Sequence, residues 1–505
     1  MTELHPAPPE TTDTSLHKGR LGIIGVVFFV VAAAAPLAGM TGALPPAIGI
    51  GNGAGAPGAY LAAGLVLLLF SFGYAAMSHK VTNTGAFFAF VGRGLGIIPG
   101  VGSAFVSLLA YLTVQWAVYG FFGYVVSSEV DSQFSRTTPW WLWSLLACVV
   151  VTALSLLSVD VGAKVLGVFM TLEVACLALL AVVLLVKGAP DGESMDLAAS
   201  FSPSAVFAGG LTGGAGIALA FAFASFIGFE ATAIYGEESK NPKRTVPLAT
   251  YVAVGLITIL FSVVSFGIVT GLGAQNIADK VAKASNGFAN PAAVVFGLAE
   301  ANVGPWLSTV MKWLVITSLF AALLAFQNSA ARYFFAMGRS SVLPSMLDKT
   351  NKVGAPGNAA MLTSVLGFAI IVLFAATGQD PILNLFNWFS AVAVLAILLV
   401  EALVSLSVVA YFLRTKEDTR IWHTMIAPLL AFLGLIGAMF LVMSRFALLS
   451  GTAAEGVDPT AQLFGLNTVG WVLIGSPFLV LILGLVVGGA RRRTENVDAV
   501  KDLVS

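Results

Sequence analysis

Four ionisable side chains lie inside long apolar stretches of the sequence: Glu173, Glu230, Lys312 and Glu401. A charge at the centre of a hydrocarbon layer costs several kcal/mol, so each of these residues is a candidate for binding an ion or carrying a proton. All the histidines lie in tails or loops: His5, His17, His79 and His423. A proton carried within the apolar region must therefore bind a carboxylate or a lysine.

Two apolar stretches also contain residues that interrupt helices. The first runs from 32 to 42 and carries Pro36, which lacks a backbone donor, and Gly39, a poor helix former. The second combines Ser225, Gly228 and Glu230. Backbone freed at such breaks is tolerated in a membrane only where it lines a cavity, and its N–H and C=O groups can hold the polar head of a small molecule. The candidate binding residues are Pro36, Ala38, Gly39, Met40, Thr41 and Gly42 from the first stretch, and Ala224, Ser225, Phe226, Ile227 and Gly228 from the second.

An alternative reading treats each stretch as an ordinary helix, with Pro36 forming a kink and the glycines allowing close packing. Two interruptions at corresponding positions, five spans apart, favour the binding site, because paired broken helices mark the substrate sites of secondary transporters.

The elements that position these residues follow from composition. The chain has 505 residues, of which 58% are apolar and only 10% charged, against about 25% charged in a typical soluble domain. Such a chain needs a bilayer as its solvent. The net charge of zero gives no support for nucleic-acid binding, and Cys148 and Cys176 both lie in apolar stretches and define no disulfide framework. The sequence contains no recognisable catalytic set, metal-ligand cluster or cofactor motif.

Twelve apolar stretches are long enough to cross the roughly 30 Å hydrocarbon core as helices. None shows the alternating pattern of a barrel strand, so the predicted fold is an all-α polytopic membrane protein. The stretches begin near Leu21, Pro57, Ile98, Trp140, Gly162, Leu211, Val246, Pro305, Ala359, Ile382, Met425 and Thr468.

The basic residues predict the orientation. With these spans, nineteen of the 25 Lys and Arg residues fall on one side, five on the other, and Lys312 within a span. The basic side is expected to be cytoplasmic and to carry both termini. The five residues on the other side are Arg136, Lys187, Lys280, Lys283 and Arg445.

Several motifs resemble those of the amino acid-polyamine-organocation permease family. The match extends from the first span to the tenth and is specific to the superfamily rather than to a substrate. The segments that carry it are 57–60, 73–78 and 84–90, then 225–230 with Glu237-Glu238 and 241–244, and finally 332–334 with Gly338-Arg339 and 342–344.

The resemblance implies a five-plus-five inverted repeat in which the first and sixth spans line the site, with two further helices at the C-terminus. The expected organisation is a tail at 1–20, a ten-helix transport core at 21–415, two additional spans at 416–490 and a tail at 491–505. Many members hold the substrate carboxylate on a Gly-Ser/Thr-Gly-Ile stretch of the first span. Here that stretch is Ala35-Pro36-Leu37-Ala38-Gly39, which keeps a simple amine open as the substrate.

The resemblance also gives roles to two carboxylates. Glu173 takes the place of a fifth-span lysine that some relatives carry near the site of a coupling sodium, so it is expected to couple transport to protons; the alternative is a neutral group bonded between helices. Glu230 is expected either to balance a substrate ammonium or to hold the unwound segment. Lys312 is expected to reach toward the outer surface, with pairing to a buried glutamate second, and Glu401 has no assigned role.

The charges at 237–244 admit two readings: an inner-gate cluster of ion pairs, or a solvated surface run. The second is the commoner fate of charges at a membrane surface.

We therefore expect a secondary carrier for an amino acid or related small amine in the plasma membrane, working by alternating access with protons as a possible second partner. The first, second, sixth and seventh spans would rock against the third, fourth, eighth and ninth. The alternatives are a carrier for polyamines or other organic cations, and a transporter-like sensor that binds without moving its ligand.

Overall fold

The computed structural model describes residues 16, 19–81, 85–157, 159–190, 193, 195–288 and 290–493, without the side chains of 159–166 and 492–493. Most of the predicted tails at 1–20 and 491–505 thus lie outside the described residues. Within these ranges the regular structure is helical, and the predicted all-α fold is confirmed.

Each predicted apolar stretch forms a helix that begins within a few residues of the expected position, because long apolar runs without charges specify membrane helices strongly. The first span comprises Ile23–Ala34 and Pro36–Gly42, and the sixth comprises Gly214–Ala224 and the 3₁₀ segment Phe229–Tyr235. The remaining spans are Ala56–Ser78, Ile97–Phe134, Trp140–Ser155, Val159–Lys187, Pro242–Leu272, Pro305–Arg339, Gly357–Ala376, Pro381–Thr415, Trp422–Ser444 and Thr468–Arg493.

The fourth span is the short one. Eleven helices among the described residues are long and apolar enough to cross a membrane, whereas Trp140–Ser155 has only 16 residues. At 1.5 Å per residue it is about 24 Å long, less than the hydrocarbon thickness. It packs against the third and ninth spans, which lets a short helix lie at the edge of the bundle.

The spans pack against one another across the two halves of the chain. The second span lies along the seventh, the third contacts the eighth and tenth, and the first packs against the fifth and seventh. The twelfth span covers the third, and the eleventh covers the second and tenth. Large apolar side chains such as Val186, which is 80% exposed, face outward, as expected for a surface solvated by lipid.

Short helices complete the two faces. We call the side on which the first span begins the basic face, because it carries Arg20, Lys80, Lys240 and Arg414. There the helix Phe87–Leu95 precedes the third span and overlaps the motif segment 84–90; Thr84, the first residue of that segment, lies outside the described residues. The helices Ile277–Ala284 and Ala292–Asn302 lie on the opposite face.

Candidate substrate site

The first span breaks at Ala35, one residue before the predicted binding stretch. Ala35 adopts a left-handed conformation with φ 43°, and a second helix starts at Pro36. Proline in a helix interior would clash with the carbonyl four residues earlier, but at the first position of a helix its missing N–H costs nothing. The stretch from Pro36 to Gly42 is therefore helical rather than unwound, which corrects the expected position of the break.

The sixth span breaks where the sequence predicts. Its first helix ends at Ala224, a turn covers 225–228, and the 3₁₀ segment begins at Phe229. Gly228 has φ 114°, a conformation that side chains with a Cβ adopt only at a cost. The Ser225 hydroxyl donates to the Phe221 carbonyl and lies 3.1 Å from the Tyr60 hydroxyl of the second span.

The two breaks touch each other in the interior. A Cβ added to Gly228 would lie 2.6 Å from the Ala33 Cβ and 3.0 Å from the Ala34 nitrogen. A Cβ at Gly39 would lie 3.8 Å from the Ser225 Cβ. Of the predicted binding residues, Gly39, Ser225 and Gly228 thus lie at the contact between the two interrupted spans.

The other predicted binding residues have different surroundings. The Thr41 hydroxyl donates to the Leu37 carbonyl of its own helix, and Met40 is fully buried. Phe226 and Ile227 line a small cavity between the sixth and tenth spans. The remaining residues, Pro36, Ala38, Gly42 and Ala224, lie in the half-helices on either side of the breaks.

Glu230 is fully buried, and both its carboxylate oxygens are occupied. Oε1 accepts from the Tyr111 hydroxyl at 3.0 Å, and Oε2 accepts from the Gly228 N–H at 2.8 Å. The Tyr74 hydroxyl donates to the Glu230 carbonyl at 2.7 Å. Of the two roles expected for this residue, these contacts fit the second, in which the carboxylate holds the unwound segment.

Glu173 links three spans. Glu173 is 2% exposed, the Ser318 hydroxyl of the eighth span donates to Oε2 at 2.8 Å, and the Leu37 backbone N–H lies near enough to interact with the carboxyl group. Leu37 is the second residue after the break in the first span. A carboxyl group of the fifth span therefore lies near the N-terminus of the restarted helix of the first span, where a negative charge interacts favourably with the helix dipole.

The other two intramembrane charges differ sharply in exposure. Lys312 is exposed, with Nζ 6.0 Å from the Phe296 ring, in keeping with a side chain that reaches the surface rather than the interior. Glu401 is 1% exposed and lines the same cavity as Phe226.

An ion-pair cluster on the basic face joins the loop after the sixth span to the eighth span. Arg332 of the eighth span binds Glu238 through two bonds, Nε to Oε2 at 2.6 Å and Nη2 to Oε1 at 2.9 Å, and both side chains are almost fully buried. At the end of the same helix, Arg339 binds Glu237 through two bonds as well. The reading of this acidic pair as a solvated run is wrong, because both glutamates are ion-paired and Glu238 is buried. Their role in an inner gate stays a prediction.

The basic members of this cluster were not identified from the sequence. The sequence offers the local cations Lys240, Lys243 and Arg244, whereas the partners lie 94 and 102 residues further along the chain, in the eighth span. The available signal was an arginine, Arg332, in the continuous apolar pattern of a long helix. Such a residue must find a counter-charge when buried.

Aromatic and backbone contacts surround the ion-pair cluster. The Arg332 guanidinium lies 4.9 Å from the centroid of the Tyr235 ring, which stacks on Phe29 of the first span. The Leu21 N–H donates to the Glu238 carbonyl at 3.0 Å, and the Lys240 N–H donates to the Leu21 carbonyl at 2.8 Å. The start of the first span is thereby joined to the loop that carries both glutamates.

The chain is similar to permeases of other organisms. It is 25% identical to a branched-chain amino acid permease of Lactococcus lactis over 258 residues, 50% of this chain and 47% of the relative. It is 22% identical to an aspartate-proton symporter of Bacillus subtilis over 450 residues, 86% and 78% of the two chains. It is 23% identical to a probable GABA permease of Pseudomonas aeruginosa over 355 residues, 68% and 70%. The chain thus spans about half the length of the first of these relatives.

Two further comparisons concern the fold and the family. A Na⁺-coupled sialic acid symporter, solved in a substrate-bound outward-open state, superposes with a TM-score of 0.51 at 12% identity, covering 94% of this chain and 90% of that one. At this identity the likeness shows a shared fold alone. The sequence model of the amino acid permease family matches residues 25–483, most of the chain. This multi-pass membrane protein therefore belongs to the amino acid permease family.

Proposed function

We propose that this protein is a secondary active transporter that moves an amino acid, or a closely related small amine, by alternating access. The observation that carries the proposal is the contact of two helix breaks, Ala35 in the first span and Ser225–Gly228 in the sixth. Half-helix ends leave N–H and C=O groups without intrahelical partners, and such groups can bind a carboxylate and an ammonium. The family match and the names of the relatives support the same substrate class.

The substrate would lie beside Gly39, Ser225 and Gly228, with backbone groups holding its polar head. Side chains of the third, sixth, eighth and tenth spans would select its tail. Glu230 has both oxygens engaged within the protein, which disfavours it as the direct counter-charge of a cationic substrate. An amino acid whose own carboxylate and ammonium both meet backbone groups is therefore favoured over a polyamine.

The proposed motion opens each face in turn. The first, second, sixth and seventh spans would rock against the third, fourth, eighth and ninth, and the Arg332–Glu238 pair would hold the basic face shut in the conformation described. The excess of Lys and Arg on that face supports a cytoplasmic orientation with both termini inside the cell. We place the protein in the plasma membrane, with a transport core at 21–415 and an additional helix pair at 416–490.

The first experiment is a thermal-stability screen of the purified protein against amino acids and biogenic amines. A ligand at 100 times its Kd adds about 2.7 kcal/mol to the free energy of unfolding if it binds only the folded state. We expect hits among amino acids with a free carboxylate, and none with Gly39→Val, which fills the space beside Ser225. Hits among amines alone would replace this proposal by a cation carrier. Binding without uptake into proteoliposomes would replace it by a sensor.

We further propose that protons drive transport through Glu173. Replacing Glu173 by glutamine keeps a group that can bond to Ser318 and Leu37 but removes the ionisable proton. We expect uptake driven by a proton gradient to fall by roughly 5- to 150-fold, because typical coupling free energies of about 1–3 kcal/mol correspond to that factor. Exchange of labelled for unlabelled substrate should persist.

The measurement is uptake into proteoliposomes with and without an imposed pH gradient. Glu300→Gln is the matched control, because it makes the same chemical change at a glutamate that is exposed, on the short helix Ala292–Asn302. If Glu173→Gln responds to the gradient as the wild type does, the coupling proposal fails.

A further inference from the structure

A small cavity lies between the sixth-span break and the tenth span. Its volume accessible to water is about 10 Å³, room for at most about one molecule. The walls are hydrocarbon except for one carboxyl group. The lining includes Leu67, Phe226, Ile227, Phe229, Leu398 and Glu401.

The Glu401 carboxyl group is buried without a full set of partners. Its Oε1 has no hydrogen-bond partner among the described residues, and the Ser405 hydroxyl also lacks one. The two residues are four apart on one helix and therefore share a face. Burying an ionised carboxylate in this state carries a large penalty, so its environment demands a proton or a cation.

The surroundings select between those two ligands. A bound metal cation such as Na⁺ or Ca²⁺ requires several oxygen ligands, whereas this cavity offers the carboxyl group alone among its lining side chains. The neighbouring Glu230 carboxylate also repels a negative charge on Glu401, because the two groups have the same sign. A proton neutralises Glu401 and needs neither space nor further ligands.

We propose that Glu401 is a second proton-binding site of this transporter, holding a proton while the sixth-span break is packed against the tenth span and releasing it when the break moves. The inference rests on the proposed function. Phe226 and Ile227 belong to the break and also wall the cavity. A displacement of the break on substrate binding therefore changes the access of water to Glu401.

This site is distinct from the one proposed at Glu173. Glu173 lies on the fifth span and contacts the first and eighth spans, whereas Glu401 lies on the tenth span and lines a cavity with residues of the second and sixth spans. Protonation of Glu173 would act on the break in the first span. Protonation of Glu401 would act on the break in the sixth.

The test is infrared spectroscopy of the purified, substrate-free protein at neutral pH, in H₂O and D₂O. A protonated carboxyl group has a C=O band that is separate from the ionised form and shifts in D₂O. Exposed glutamates are ionised at this pH, since their ordinary pKa is about 4.3. We expect Glu401→Gln to lose one component of the protonated band and the exposed control Glu300→Gln to keep it.

An identical protonated band in the wild type and in Glu401→Gln would overturn the proposal. If Glu401→Gln does not yield folded protein, Glu401→Asp serves instead: a shifted band supports the proposal, and an unchanged band refutes it. The measurement uses no substrate, so it is independent of the thermal screen. Glu173→Gln, measured in parallel, separates the two carboxyl groups.

Discussion

Replacing Arg332 by alanine is expected to destabilise the protein by about 3–5 kcal/mol and to open its basic face. Glu238 is 2% exposed and receives two hydrogen bonds from Arg332. Removing one partner of a buried ion pair leaves the other as an uncompensated charge, which is the origin of the penalty. Since the pair joins the loop after the sixth span to the eighth span, the penalty falls on the conformation in which these elements touch. Any conformation that hydrates Glu238 gains in relative population.

Three matched variants separate charge, geometry and burial. Arg332→Lys keeps the charge but loses the planar two-pronged contact, so we expect an intermediate effect. Arg339→Ala breaks the neighbouring pair with Glu237, whose side chains are 31% and 15% exposed, and solvent limits its cost to about 1 kcal/mol or less. Combining Arg332→Ala with Glu238→Gln removes the orphaned charge and should recover much of the loss, as a double-mutant cycle would show.

The readouts are the thermal midpoint and the reactivity of a cysteine introduced at Ala231, a buried position between the break and the ion pairs. A membrane-impermeant thiol reagent applied from the basic face should label Ala231→Cys faster in the Arg332→Ala background. Cys148 and Cys176 are replaced by serine beforehand. Equal labelling with and without Arg332, or equal effects of the Arg332 and Arg339 variants, would contradict the proposal that the Arg332–Glu238 pair holds the basic face shut.

The elements of this fold are predictable from sequence because their determinants are local. Apolar length specifies the spans, and Pro36 places the first break to within a residue, since a proline has few positions open to it in a helix. Ser225 and Gly228 specify the second break in the same way. The fourth span was located correctly, but its 16 residues fall short of a full crossing.

The partners of the buried charges were not predictable in this way. Glu238 and Arg332 are 94 residues apart, and Tyr111 and Glu230 are 119 apart. Each pairing depends on how two helices pack side by side, which the spacing within either helix does not specify. The sequence therefore indicates the cations near Glu238 in the chain as its partners, rather than Arg332. The same limit applies to Glu401, whose isolation is a property of the three spans around it.

Gly228→Ala is expected to abolish transport, because it strains the second break and pushes it away from the first. Gly228 has φ 114°, and a left-handed conformation costs a residue with a Cβ roughly 1–2 kcal/mol. The new methyl group would lie 2.6 Å from the Ala33 Cβ and 2.9 Å from its carbonyl carbon. The latter is backbone, so relief requires the two breaks to separate, and overpacking of this kind costs about 1–3 kcal/mol. Together these two penalties lower the population of the conformation in which the breaks touch at least about tenfold, since about 1.4 kcal/mol corresponds to a factor of ten.

Two glycine controls separate the site from general effects of an added methyl group. Gly255 lies in the seventh span, where an added Cβ would meet nothing within 4 Å among the described residues, so Gly255→Ala should leave uptake unchanged and stability equal or slightly higher. Gly39→Ala meets only ordinary contacts, 3.7 Å to the Phe261 ring and 3.8 Å to Ser225. It should therefore fold normally while weakening substrate binding.

The contrast among the three glycines makes the proposal about the breaks testable through two quantities, the thermal midpoint and substrate exchange in proteoliposomes. Gly228→Ala should lower both, Gly39→Ala should lower exchange alone, and Gly255→Ala should lower neither. Because Gly228 also donates its N–H to Glu230, its displacement releases a buried carboxylate as well, which adds to the loss. Wild-type exchange by Gly228→Ala would mean that the breaks separate freely during transport and that their contact does not define the substrate site.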